Sequence, residues 1–206
     1  MRHLNKLVFS TLLTVAASVP SQEVQSPIDR LETLLGSIET LQASFSQQSV
    51  KTGMQTGKFW LQKPNQFRIE TSAPLSQTIV SNGDSLWTHD RDLEQVIINK
   101  LNNRLAEMPV LLFAGDPSLI ADSYEVDFFE DEVLSYYILT PLASTSLFTR
   151  LQLTFDQSSP TRISVENAMG ERTVIDLTDV AKNMDIEAAR FTLTIPDNVD
   201  VIDDRL

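Results

Sequence analysis

Residues 57–96, GKFWLQKPNQFRIETSAPLSQTIVSNGDSLWTHDRDLEQV, decide the fold class of this chain. From 57 to 62, Gly57, Phe59 and Leu61 alternate with Lys58, Trp60 and Gln62; from 66 to 71, Phe67 and Ile69 alternate with Gln66, Arg68 and Glu70. A period of two puts each set on one face of a sheet. Between the two runs, Pro64 lacks an N–H and biases Lys63 toward extended geometry, so Lys63-Pro64-Asn65 forms a hairpin corner or a strand edge. Asn82-Gly83, between QTIV and SLWTH, is the strongest short hairpin signal. Asp90-Arg91-Asp92 offers a second polar turn before QVIINKL.

Upstream of this stretch, Ser26-Pro27-Ile28-Asp29 supplies a capping serine, a proline at the first helical position and an acid in the first turn. Ile28, Leu31, Leu35 and Ile38 follow at helical spacing, which predicts an amphipathic helix over 26–39, with Gly36 weakening it by about 1 kcal/mol relative to Ala. From Leu41 the period changes to two. Downstream, residues 107–115, EMPVLLFAG, are apolar on every side, with a proline near the start and a glycine at the end, and they predict a helix of about two turns. A second short helical turn is expected at 118–122. The remainder returns to strands: YEVDFF, SYYILTPL, RLQLTFD, TRISVEN, RTVIDLTD and ARFTLTIP. In the last of these, Phe191, Leu193 and Ile195 alternate with Thr192 and Thr194. The acidic tail DNVDVIDDRL is expected to be loosely held.

About eleven strands, mostly one-sided, need a cover for their apolar face, and only two modest helical segments are on hand. The fold class that follows is mainly β with short helices (α+β): an incomplete antiparallel β-barrel lidded by helices and enclosing a hydrophobic cavity.

A chain of 206 residues suits one domain. Residues 1–21 stand apart from it. Arg2 and Lys6 precede LVFSTLLTVAASV, a short apolar run ending in small residues, which is the layout of a secretory signal peptide; cleavage after Ser18 and cleavage after Ser21 both fit. Residues 22–206 then form the single domain. No cysteine is present, which excludes disulfides and lipidation on a cysteine. The 16 basic and 28 acidic residues become 14 and 28 once Arg2 and Lys6 are removed, a net charge of −14. Such a surface repels phosphate backbones and anionic headgroups, so no nucleic acid is expected as a partner.

Beyond the signal segment the one histidine is His89, and with no cysteine the thiol nucleophiles and His-Cys zinc sites are excluded. His89-Asp90-Arg91-Asp92 reads as a solvated turn; no glycine-rich phosphate loop or nucleophile elbow accompanies it. No enzymatic activity and no cofactor are expected. What remains unusual is concentrated apolar surface: Phe59, Leu61, Phe67, Ile69, Ile79, Leu86, Val96 and Ile98 on strands, with Leu111 and Phe113 in the apolar segment. An ordinary core is the plainer reading of these residues. The segment 108–114, apolar all round, together with the N-terminal stripe, favours a pocket that opens.

The same residues resemble the LolA family of periplasmic outer-membrane lipoprotein carriers. A glycine-led strand, a Pro-Asn corner, the Phe67-Arg68 pair, an Asn-Gly turn, Leu86-Trp87 and Glu94-Gln95 follow in the family's order, and the likeness extends from LQASFSQ through Met108-Pro109 to FTLTIPDNVDVID. The resemblance implies a monomeric half-barrel that shelters the acyl chains of lipoproteins in the periplasm. It would receive them from an inner-membrane ATP-driven exporter and pass them to an outer-membrane receptor. The ten apolar residues named above would line the lipid site, and Lys63, Phe67 and Arg68 would stand at its lid or rim. Lys63 replaces an arginine common in the family, and Ile69 an aromatic; a lysine lacks the planar fork, which implies altered lid closure. The alternative on the same fold is a module that senses lipids or lipoproteins without ferrying them.

Overall fold

The computed structural model describes residues 25–50, 53–101, 109–143 and 146–205, with Val110 and Leu111 as backbone only. Helix α1 (Pro27–Gly36) opens with a capping box: Ser26 Oγ accepts from Asp29 N at 3.2 Å and the Asp29 carboxylate accepts from Ser26 N at 3.3 Å. It ends three residues before the expected boundary, with Ser37 as its cap. Leu31 and Leu35 on its inward stripe and Ile38 just beyond are fully buried.

The strands that follow are β1 (Thr40–Ser49), β2 (Gly53–Gln62), β3 (Gln66–Thr71), β4 (Gln77–Asn82), β5 (Ser85–Asp90), β6 (Gln95–Lys100), β7 (Tyr124–Glu130), β8 (Leu134–Pro141), β9 (Phe148–Asp156), β10 (Ser159–Asn167), β11 (Arg172–Lys182) and β12 (Asp200–Asp203). They form one sheet in the order β12-β6-β5-β4-β3-β2-β1-β11-β10-β9-β8-β7. Every neighbouring pair is antiparallel except β12 with β6. The sheet is not closed: β12 and β7 are its two edges.

The turns occupy two ends. The Lys63-Pro64-Asn65 corner, the Gly83 turn and residues 131–133 and 157–158 lie at one, the corner end. Residue 50 and residues 72–76, 91–94, 142–143, 146–147 and 168–171 lie at the other, the hairpin end. Gly83, at φ +102, takes the left-handed conformation that the Asn-Gly turn requires.

Between β6 and β7 the expected two-turn helix is instead a single 3-10 turn, Pro109–Leu112, and Met108 lies outside the described residues. A second 3-10 turn, Pro117–Leu119, runs into helix α2 (Ile120–Ser123), where a short helical turn was expected.

One face of the sheet carries the main core. Leu41, Leu61 and Phe67 stand in register across β1, β2 and β3, as do Ala43, Phe59, Ile69 and Ile79 one row further along. On the other half, Ile163, Leu153 and Tyr137 align in the same way. Leu31, Leu35 and Ile38, together with Phe113 and Ala114, join these rows in one apolar cluster. Phe113 and Tyr137 both pack on Phe155, at ring distances of 6.2 and 5.8 Å.

The C-terminal segment corrects the sequence expectation. ARFTLTIP is not a strand: a 3-10 turn, Ala188–Phe191, crosses the opposite face of the sheet against β3 and β4, and the strand lies further on, as β12 in the tail expected to be loose. The two-residue alternation is real, since Phe191 is buried and Leu193 and Ile195 half-buried while Thr192 and Thr194 are exposed. The alternation serves packing onto a sheet face, not a hydrogen-bonded ladder.

Candidate functional site

The helix-covered face is the candidate site. Of the residues expected to line it, Phe59, Leu61, Phe67, Leu86 and Phe113 belong to the buried cluster, and Ile69 and Ile79 are half-buried against it. The side chain of Leu111 lies outside the described residues. Val96 and Ile98 are corrections. Val96 pairs with His89 and Ile98 with Trp87, which places both on the face that also bears Thr78, Val80, Arg68 and Trp60. They are buried, but on that opposite face and apart from the main cluster. Their neighbour Ile97, in register with Thr88 and Ile79, is the apolar residue of β6 on the lid side, with Asn99 opposite Leu86 on the same face. QVIIN has three adjacent β-branched residues, so alternation alone left its register open by one residue, and a slip of one inverts the face.

Lys63 was expected at the lid or rim. At the corner end of the sheet its Nζ donates to the Leu35 carbonyl at 2.6 Å, so the ammonium caps the C-terminal turn of α1, where the helix dipole favours positive charge. Burial pulls its pKa below 10.5, while the carboxylates of Glu39 and Asp116 oppose that shift. Asp116 is itself held below the usual carboxylate range, chiefly by hydrogen bonds from Ser118 N and Oγ and less by Lys63. The corner makes further contacts: Lys63 N donates to Glu39 O at 3.0 Å, Asn65 N donates to Ala114 O at 2.8 Å, and Ser81 Oγ donates to Asn65 O at 2.8 Å. The turn required by Pro64 thus fastens both covering segments, α1 and residues 109–114, to the sheet.

Arg68 is not at this rim. On the opposite face its Nε pairs with Glu70 at 2.6 Å and its Nη1 donates to the carbonyls of Arg190 and Thr192 at 3.5 and 3.3 Å. Arg190 in turn lies 4.5 Å over the Trp60 ring. Phe67 and Arg68, adjacent in sequence, therefore act on opposite faces, the first in the apolar interior and the second holding the C-terminal cover.

Asn183 was not foreseen. Its Nδ2 donates to Ser37 O at 2.9 Å and its Oδ1 accepts from Glu39 N at 2.8 Å, so it latches the α1–β1 junction from 144 residues away along the chain. Its φ of +57 is tolerated by asparagine better than by most residues. No local pattern marked it, since the predicted strand RTVIDLTD stops at Asp179.

Among the described residues no group of three His, Asp or Glu side chains is arranged to hold a metal ion. The arrangement removes hydrocarbon from water, and its cover is fastened at one end by a few polar bonds.

An unclosed antiparallel sheet with a helix-covered apolar face defines the class of protein. The chain belongs to the family described as outer membrane lipoprotein carrier protein LolA, whose model matches residues 36–194. It is similar to the outer-membrane lipoprotein carrier protein of Chromohalobacter salexigens, at 36% identity over 194 residues and 92% of each chain. It is equally similar to that of Azotobacter vinelandii, at 36% over 203 residues, covering 95% of this chain and 98% of that one. Among solved structures, a conserved protein from Thermus thermophilus shares the fold at a TM-score of 0.56 and 13% identity, covering 88% of this chain and 99% of that one.

Proposed function

We propose that this chain is a periplasmic carrier that shelters the acyl chains of lipoproteins, receives them from an inner-membrane ATP-driven exporter and delivers them to an outer-membrane receptor. It acts as a monomer and without turnover. The observation that carries this reading is that the cover and the sheet share one apolar cluster: Leu31, Leu35 and Ile38 pack into the same core as Phe59, Leu61 and Phe67. Moving α1 aside exposes hydrocarbon on both surfaces, and an acyl chain restores the burial. Relatives named as outer-membrane lipoprotein carriers, aligned over nearly the whole chain, support it.

The energetics favour shuttling over permanent capture. Each acyl methylene removed from water contributes about 0.8 kcal/mol. The lid's own leucines compete for the same space, so net affinity is a difference between two burials, and α1 repacking drives release. Residues 1–21 act as the signal peptide that brings residues 22–206 to the periplasm.

The test loads purified protein with a triacylated lipoprotein and adds acceptor membranes. The unaltered chain hands cargo on, which a sensor would not do. Phe67→Glu places a carboxylate in the interior and abolishes loading. Undiminished delivery by a folded Phe67→Glu variant overturns the assignment.

A further inference from the structure

The two ends of the sheet differ in chemistry. At the hairpin end, five separate turns carry exposed apolar side chains: Val50, Leu75, Leu93, Leu142, Leu147 and Met169. Val50 is 85% exposed, Met169 72% and Leu93 70%. At the corner end, the turns at 63–65, 83–84, 131–133 and 157–158 carry one large exposed apolar residue among those described, Val133, and Met184 just beyond β11 adds a second. Turns ordinarily carry polar side chains, whereas the five hairpin-end turns follow one another along a single end of the sheet and gather six exposed apolar ones.

We propose that the hairpin end is a docking surface for a zwitterionic phospholipid bilayer, with these six side chains entering the interfacial region. The fringe suits a bilayer better than a protein. A protein interface needs a contiguous, shape-matched apolar centre, whereas these residues stand singly on turn tips with Ser72, Ser76 and Asp92 between them. A bilayer accepts separate insertions without a matching shape.

Charge narrows the lipid class. The chain's formal net charge of −12 opposes an anionic surface. At the hairpin end itself both signs are present, with acids in excess: Arg91, Arg150 and Arg172 stand among Asp92, Glu94, Glu166 and Glu171. Beside the Leu147 and Met169 turns, Arg150, Glu166 and Arg172 line a polar cleft of about 210 Å³. Arginine matches a headgroup phosphate and the carboxylates match its ammonium, which is the pairing that phosphatidylethanolamine or phosphatidylcholine offers. The surface deepens the carrier reading by giving the unloading step a place. It rests on that reading for its purpose only, because vesicle binding is measured without cargo.

The experiment floats the cargo-free chain without its signal segment, residues 22–206, with vesicles of phosphatidylethanolamine and phosphatidylcholine, and in parallel with vesicles containing phosphatidylglycerol. The unaltered chain and a Val133→Ser variant float with the zwitterionic vesicles. A Leu93→Ser/Leu147→Ser/Met169→Ser variant, altered only at exposed turn positions, loses at least about tenfold in the bound fraction. Phosphatidylglycerol weakens binding, and salt restores it. The proposal is overturned if the unaltered chain ignores pure lipid, if the triple variant binds as well, or if anionic vesicles are preferred. Association that requires an acceptor protein in the membrane also overturns it, in favour of a protein partner. Phe67→Glu retains vesicle binding, so failure of the carrier reading and failure of this surface give different results.

Discussion

Lys63 shows how much of the lid depends on one side chain. Its ammonium meets the Leu35 carbonyl at the end of α1, while Ile38 N also donates to that carbonyl. Removing the lysine therefore loosens the lid without orphaning the acceptor. Lys63→Met is expected to cost about 1 kcal/mol and to speed hydrogen exchange of the α1 amides about fivefold. The pH dependence has a definite sign. Because burial lowers the folded-state pKa of Lys63 below 10.5, the unfolded chain binds more protons in the interval between the two values. Stability attributable to this group rises as pH climbs through that interval. Unfolding curves taken from neutral pH toward 10.5 should show the unaltered chain gaining on Lys63→Met; a constant gap refutes the burial of the amine. Gly57 is the complementary case, a residue defined by what it lacks. A Cβ there would lie within 2.6 Å of the Phe45 ring and closer still to the Glu70 backbone oxygen, so this position in the middle of β2 admits no side chain.

α1 is a lid because of how it is attached. Its N-terminus is capped by its own Ser26 and Asp29, a local device that the sequence displays openly. Its C-terminus is held by groups distant in the chain, Lys63 on one side and Asn183 on the other. The helix can thus stay folded while its seat is lost. Asn183→Ala removes both side-chain bonds to the α1–β1 junction and strains a left-handed backbone position, at a cost of about 1–2 kcal/mol. Helical circular dichroism should be retained while the α1 amides exchange faster; loss of helix signal would show that the latch and the helix are one cooperative unit. The C-terminal cover behaves in the reverse way. Its alternating Phe191, Leu193 and Ile195 have the pattern of a strand, but Arg68 takes the carbonyls of Arg190 and Thr192 and the segment lies across the sheet.

The whole molecule is a two-sided sheet with separate duties on its faces. The lid face gathers Leu31, Leu35, Phe59, Leu61 and Phe67, and the opposite face buries Val80, Val96, Ile98 and Phe191. This separation predicts that stability and cargo loading come apart. Phe191→Ala should cost about 3 kcal/mol by emptying a buried site, yet leave lipoprotein loading unchanged at temperatures where the chain is folded. Phe67→Glu should do the opposite to loading. Equal loss of loading in both variants, measured on folded protein, would merge the two faces into one functional unit.

The sequence by itself determined what is local. Alternation located eleven of the twelve strands, Asn82-Gly83 and Asn167 to Gly170 marked turns, and Ser26-Pro27 marked the start of the lid. The order of weak features around 57–96 carried the family. Tertiary structure decided what depends on register and on distant partners. It set Val96 and Ile98 on the face away from the lid, because three adjacent β-branched residues fit either register until β5 pairs with them. It turned 189–196 into a cover and the acidic tail into β12, because an edge strand is defined by the open ladder it finds, here the edge of β6. Asn183 and Ser37 met only on folding, since a hydrogen bond across 146 residues leaves no trace in local pattern.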